Sequence, residues 1–267
     1  MPAEESDPLE FGELTLIGQI THASNATLVC DAMIGETAVR CVYKPIRGER
    51  PLWDFPDGTL AGREYASYLV SEQLGWGVIP RTLLRDGPFG RGMVQQWVDT
   101  ADRHGDDRPG LDLVDICRPG AVPDGWFEIL RASDMDGEPV ALIHADDPRL
   151  QRMAVLDVLI NNADRKGGHA LEGLDGSVYG VDHGICLHRE NKLRTVLWGW
   201  AGTQVPGALV VDIAELIPAL EGDFGARLAE HITSAEVAAL YERAVDLLDA
   251  PVMPRPNGHR PIPWPAF

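Results

Sequence analysis

Two carboxylates flank one short apolar stretch, and this pair constrains the fold more than any other feature of the chain. Asp164-Arg165-Lys166-Gly167-Gly168-His169 closes an apolar helical run, and Val181-Asp182-His183-Gly184 places a second carboxylate 18 residues after the first. Between them, Leu171 to Val181 is mildly apolar and carries an Asp175-Gly176 turn signal, so the spacing predicts a β-hairpin with a polar group at each mouth. An Asp leaving a buried strand is costly unless it is paired or metal-bound. Two carboxylates so placed suit phosphoryl transfer, in which one receives or orients a hydroxyl and the other holds the metal bridging nucleotide phosphates. The plainer reading of Asp164 is a cap in a polar Asn161-Asn162-Ala163-Asp164 turn.

Phosphoryl transfer also needs a cation on the phosphates, an acid to hold that cation, and a strand edge for the base. Lys44 ends an alternating run from Thr37, and Glu64 lies on the first turn of a helical pattern that includes Tyr65, Tyr68, Leu69 and Leu74. Taken singly, Lys44 reads as a snorkelling surface lysine and Glu64 as an ordinary helix-start charge. Gly92 to Val98 reads as a strand entering a linker, where Gln95, Gln96, Trp97 and Val98 offer a backbone edge. Ser24 and Asn25 sit in the first turn and could offer donors to phosphates. That turn lacks a glycine-rich pattern and also reads as an ordinary hairpin turn.

The order Lys44-Pro45, Glu64, Leu74-Gly75-Trp76-Gly77-Val78-Ile79-Pro80, Asp164-Arg165, Asp182-His183-Gly184 resembles the phosphatidylinositol 3-/4-kinase-like branch of the kinase fold. It is most similar to type II phosphatidylinositol 4-kinases and to actinobacterial proteins described as related to them. The resemblance covers about residues 15 to 240. It implies an α+β, bilobal kinase-like fold with a small antiparallel-sheet lobe and a mainly helical second lobe. It also implies ATP with Mg²⁺ or Mn²⁺ as cofactors. Lys44 would bind the α/β-phosphates, Glu64 would orient it, Asp164 would act as base with Arg165 and Lys166 beside it, and Asp182 would hold metal. Where these families carry a metal-binding Asn, five residues after the catalytic Asp, this chain has His169, a softer ligand that suits transition metals better than magnesium. The basic run His188, Arg189, Lys192, Arg194 falls in the segment that reads the acceptor in those families, which makes Arg189, Lys192 and Arg194 candidate substrate residues; a solvated loop is the bland alternative.

A net charge of −18 argues against nucleic acid and against stable docking on an anionic leaflet. The expected partners are therefore a nucleotide and a soluble, anionic small-molecule or protein acceptor, in a cytoplasmic protein without stable membrane association. Nothing in the sequence sets an oligomeric state. Four scattered cysteines (Cys30, Cys41, Cys117, Cys186) read as free thiols. The expected organisation is a first lobe over 1–98, a hinge and surface segment over 99–124, a second lobe over 125–250, and an extended Pro-rich tail over 251–267 carrying six Pro. Such a tail packs on its own domain or serves as a polyproline-type ligand.

Three further readings stay open on the residues alone. One is a nucleotide-binding pseudokinase, with His169 marking lost chemistry. Another is a phosphatidylinositol kinase. The last is a metal-dependent hydrolase built on His144, Asp146, Asp147, His169, Asp182 and His183.

Overall fold

The computed structural model describes residues 7–20, 25–101, 110–258 and 260–267. The candidate nucleotide-loop residue Ser24 lies outside them. The first lobe is a five-stranded antiparallel sheet of β1 (Glu13–Gln19), β2 (Leu28–Ile34), β3 (Thr37–Pro45), β4 (Thr82–Gly87) and β5 (Gly90–Gln96), in the order β1-β2-β3-β5-β4. Alternation puts Leu14, Leu28, Cys30, Ala32, Cys41, Tyr43 and Val94 on one face. That face closes against Leu9 of the short α1 (Pro8–Phe11). The Tyr43 ring lies over Gly87 and Gly92, where a Cβ would collide with it, and its hydroxyl donates to the Gly90 carbonyl at 2.6 Å.

Helix α2 (Leu60–Gln73) crosses behind this sheet. Its first turn is fully capped: Thr59 Oγ1 accepts from Gly62 N–H, and the Glu49 carboxylate accepts from Leu60 and Ala61 N–H. The helix is buried on nearly all sides, and its Ala66, Leu69 and Val70 belong to the main core. Arg63, also buried, reaches Glu236 at 2.7 Å and the Cys186 carbonyl at 3.0 Å, tying α2 to the second lobe.

The second lobe holds α3 (Pro148–Leu159), α4 (Gly207–Glu221), α5 (Asp223–Leu228) and α6 (Ser234–Asp249). Helix α3 starts on Asp147, which accepts from Arg149 N–H, with Pro148 at the first position. A Thr233–Glu236 capping box opens α6. This is the α+β, two-lobed architecture that the sequence predicts. One feature departs from the expectation of a mainly helical second lobe. A three-stranded sheet, order β6-β8-β7, is made by β6 (Val114–Cys117), β7 (Trp126–Ser133) and β8 (Pro139–Ala145). So β6 arises inside the expected surface segment. Strand β7 is apolar at Trp126, Phe127, Ile129 and Leu130, but a bulge between Glu128 and Leu130 breaks its alternation.

The small hairpin forms as expected, from β9 (Ala170–Glu172) and β10 (Val178–Gly180), turning at Gly176 with φ of 80°. No described helix is long and apolar enough to cross a membrane. The four cysteines are free.

His144 contributes a pH-dependent element to this fold. It is fully buried on β8 among Phe127 and Trp200. Its Nε2 accepts from Gly199 N–H at 3.0 Å, so Nδ1 carries the proton and donates to the Ala145 carbonyl at 2.9 Å. Burial pushes its pKa down to about 4. The folded value lies below the unfolded one, about 6.5. The contribution is therefore complete above about pH 6.5 and is lost as pH falls toward 4. We expect this residue alone to cost about 2 kcal/mol between pH 7 and pH 5. Urea melts of the wild type and His144→Gln at both pH values check this; equal pH slopes would contradict it.

Candidate active site

The catalytic segment leaves α3 through two asparagines that act as internal fasteners. Asn161, at φ of 52°, donates to the His188 and Glu190 carbonyls and accepts from Lys192 N–H. Asn162 donates to Asp157 and accepts from Asp164 N–H at 2.9 Å, which fixes where Asp164 leaves the helix.

Between the lobes lies a cavity of about 590 Å³. Lys44, Gln95, Gln96, Trp97, Val98, Asp164, Lys166, His169 and Asp182 all line it, so the structure brings together most of the residues singled out in the sequence. Lys44 Nζ sits 2.6 Å from Glu64 Oε1 and 2.7 Å from Asp182 Oδ1. Burial disfavours the ammonium, but Asp182 and Glu64 together outweigh it, and the Lys44 pKa stands above its ordinary value. Asp182 is held below the usual carboxylate range, first by Lys44 and against its own desolvation. Its φ of 61° is unusual for a non-glycine residue and turns the side chain out of β10 toward the lysine.

Asp164 faces the same space. Lys166 Nζ stands 3.5 Å from its carboxylate. Burial raises its pKa, Lys166 opposes that rise, and Asp182 adds to it. An environment of this kind moves a carboxylate toward the range of a working general base.

His169 can serve as a metal ligand in one tautomer. Its Nδ1 lies 3.0 Å from the Asp164 carbonyl, which can only accept, so Nδ1 carries the proton. The Nε2 lone pair is left facing Asp182 Oδ2 at 3.5 Å. Burial lowers its pKa to about 4, so the ring is neutral at pH 7. His169 and Asp182 together could offer two ligands. No cluster of three or more His, Cys, Asp or Glu able to hold a metal occurs among the described residues. Two protein ligands fit a nucleotide-bound divalent ion, which takes its remaining ligands from phosphates and water.

Several expectations need correction. Arg165 reaches no ligand space: it is fully buried, paired with the equally buried Asp157 at 2.8 Å. Its guanidinium also donates to the His169 and Val181 carbonyls and to His183 Nε2. It is a clamp between the two acidic loops. The basic run is split. Arg189 lines a separate cavity beside α6, and Lys192 lies 3.7 Å from Asp54 and over the Phe55 ring. Arg194 alone lies close enough to Asp164 to lower its pKa. Asn25 lines a 70 Å³ recess that adjoins Lys44, Asp164 and Asp182, but its amide oxygen accepts from Arg50 N–H. At the hinge, Gln95 is tied to Thr82 Oγ1, and Gln96 and Trp97 N–H donate to the Arg81 and Arg40 carbonyls.

The hydrolase constellation does not assemble. His144 sits in the aromatic cluster, Asp146 accepts from Trp200 Nε1, and Asp147 caps α3. Sequence reasoning missed Asp157, which sits in the last turn of α3 within an apolar run and has a partner only once the chain has folded. It also missed Phe267, considered below.

No known family model matches the chain. The crystal structure of the Helicobacter pylori proinflammatory kinase CtkA aligns with 91% of this chain and 93% of that one, at 11% identity and a TM-score of 0.43. Likeness at that level carries no weight beside the geometry above. Protein Rv2133c of Mycobacterium tuberculosis is 59% identical over 268 residues, covering 99% of this chain and 96% of that protein. With that identity across almost the whole of both chains, this protein belongs to the family of Rv2133c.

Proposed function

We propose that the chain is an ATP- and metal-dependent phosphotransferase acting on a hydroxyl of a soluble, anionic acceptor. The observation that carries this reading is Lys44 held between Glu64 and Asp182, with Asp164 lining the same cavity. Lys44 would bind the nucleotide phosphates, with its charge secured by the two carboxylates. Gln96, Trp97 and Val98 would flank the base. His169 and Asp182 would hold the divalent ion, which supplies charge neutralisation along the triphosphate. Asp164 would take the hydroxyl proton as the acceptor attacks the γ-phosphorus. Lys166 and Arg194 are the cations near Asp164 that would favour an anionic acceptor. A likeness to phosphatidylinositol kinases leaves a lipid head group as a rival acceptor, which the net charge of −18 disfavours.

Label transfer from γ-labelled ATP to a panel of soluble alcohols and phosphorylated sugars tests the reading. Transfer to at least one of them is expected. ATP bound without transfer to any acceptor would favour a second reading, a nucleotide-binding regulatory module, which the His169 substitution recommends.

Metal preference provides a separate check. An imidazole nitrogen suits Mn²⁺ better than Mg²⁺. ATP affinity should therefore be several-fold higher with Mn²⁺ in the wild type, and His169→Asn should narrow that gap. The pKa of about 4 places any loss of metal support by ring protonation well below the ordinary histidine range. Identical metal profiles for wild type and variant would remove His169 from the ligand set.

A further inference from the structure

The Pro-rich segment is fastened along its length. Val205 N–H donates to the Pro251 carbonyl at 2.8 Å, and Met253 N–H to Thr203 at 2.9 Å. Farther on, Thr195 N–H and Trp198 Nε1 both donate to the Pro261 carbonyl, at 3.0 and 2.9 Å. Gly167 N–H donates to the Ala266 carbonyl at 2.8 Å, and Ile262 and Ala266 pack on the main core. The segment thus runs over the catalytic loop itself.

Its contact with that loop is unusually close. A Cβ built on Gly167 would lie 2.3 Å from Phe267 Cε1, so the ring rests on the glycine α-carbon and a larger residue there would displace it. Phe267 nevertheless stays 46% exposed. Together with Pro265 it lines the cavity shared by Lys44, Asp164 and Asp182, beside Lys166 and Gly168. An aromatic face left half open inside a cleft, with a lysine next to it, is a binding feature as much as a packing one.

We propose that Pro261–Phe267 forms the acceptor-side wall of the cleft, and that Phe267 is a specificity-determining residue. One face of its ring lies on Gly167. The other shields the space in front of Asp164 from water and offers a flat apolar platform to a ring-bearing alcohol whose anionic substituent meets Lys166. Shielding matters because water competes with the alcohol: attack by water breaks the same γ-phosphate bond and yields ADP and inorganic phosphate. This inference rests on the phosphotransferase reading and deepens it by naming the acceptor class.

The test uses the full chain with ATP and Mn²⁺ and no added alcohol, so that water is the acceptor. Phe267→Ala should raise the rate of ATP hydrolysis about tenfold, while calorimetry shows ATP affinity within about twofold of wild type. Gly167→Ala should act in the same direction, because its methyl group pushes the ring away. The double variant should exceed neither single one by much, since both remove one contact. Melting temperatures confirm folding, and if Gly167→Ala does not fold, Phe267→Ala alone decides. Hydrolysis by Phe267→Ala within twofold of wild type, or no hydrolysis by any variant with ATP bound, would overturn the wall while leaving nucleotide binding intact. Absence of ATP binding in every protein would instead overturn the phosphotransferase reading, and the wall with it.

Discussion

Asp164→Ala is expected to lower the rate of phosphate transfer by about three orders of magnitude, within the range that positioned general bases contribute. ATP affinity should stay within about twofold, because Asp164 pairs with Lys166, whereas Lys44, assigned to the phosphates, pairs with Glu64 and Asp182. The wild-type pH profile should report the same group. Burial raises the Asp164 pKa, and the base works only when ionised, so transfer should fall as pH drops through a value above the ordinary carboxylate range. Single-turnover rates at saturating ATP measure both effects. A variant that transfers phosphate at the wild-type rate would remove Asp164 from the chemistry.

Arg165→Ala is expected to destabilise the protein by about 3–5 kcal/mol, because it strands a buried carboxylate on Asp157. For a chain of this size that corresponds to a fall in melting temperature of about 10 °C. Arg165→Lys should recover only part of this, since an ammonium cannot reproduce the forked contacts to Asp157, His169 O and Val181 O. Replacing both partners, as Asp157→Leu with Arg165→Met, should recover most of the stability, because an apolar pair leaves no charge uncompensated. Phosphate transfer should remain low in that double variant, since nothing then holds the Asp164 and Asp182 loops in register. Recovery of stability and activity together would reduce Arg165 to a packing residue.

The contrast between these two residues shows what the sequence made legible. Asp164 and Asp182 stand beside glycines at the two ends of a readable hairpin, and local turn chemistry gives their placement away. Lys44 and Glu64 follow from strand alternation and a helix start, and the structure joins them at 2.6 Å. The buried role of Arg165 was not legible because nothing local distinguishes a buried guanidinium from a solvated one; its partner Asp157 lies 8 residues upstream, near the end of α3. The basic run from His188 to Arg194 failed for a related reason. Asn161 pins the Glu190 carbonyl and the Lys192 amide, and the bend sends Arg189 and Arg194 to different surfaces. Strand β6 was hidden because its four residues reverse the usual pattern, with Asp115 buried and Ile116 exposed, and β7 because its exposed positions include Glu128 and Arg131. The docking of Phe267 on Gly167 is a contact between residues 100 positions apart, and only a glycine inside the catalytic loop hinted at a close approach.

Calorimetry of ATP binding, with Mn²⁺ and with Mg²⁺, on the wild type and Lys44→Ala bears most directly on the cleft between the lobes. Saturable binding is predicted for the wild type with at least one metal. The Lys44→Ala variant should bind at least tenfold more weakly, because it loses the cation that Glu64 and Asp182 hold in place. No measurable binding with either metal, or affinity unchanged by the loss of Lys44, would contradict the nucleotide site.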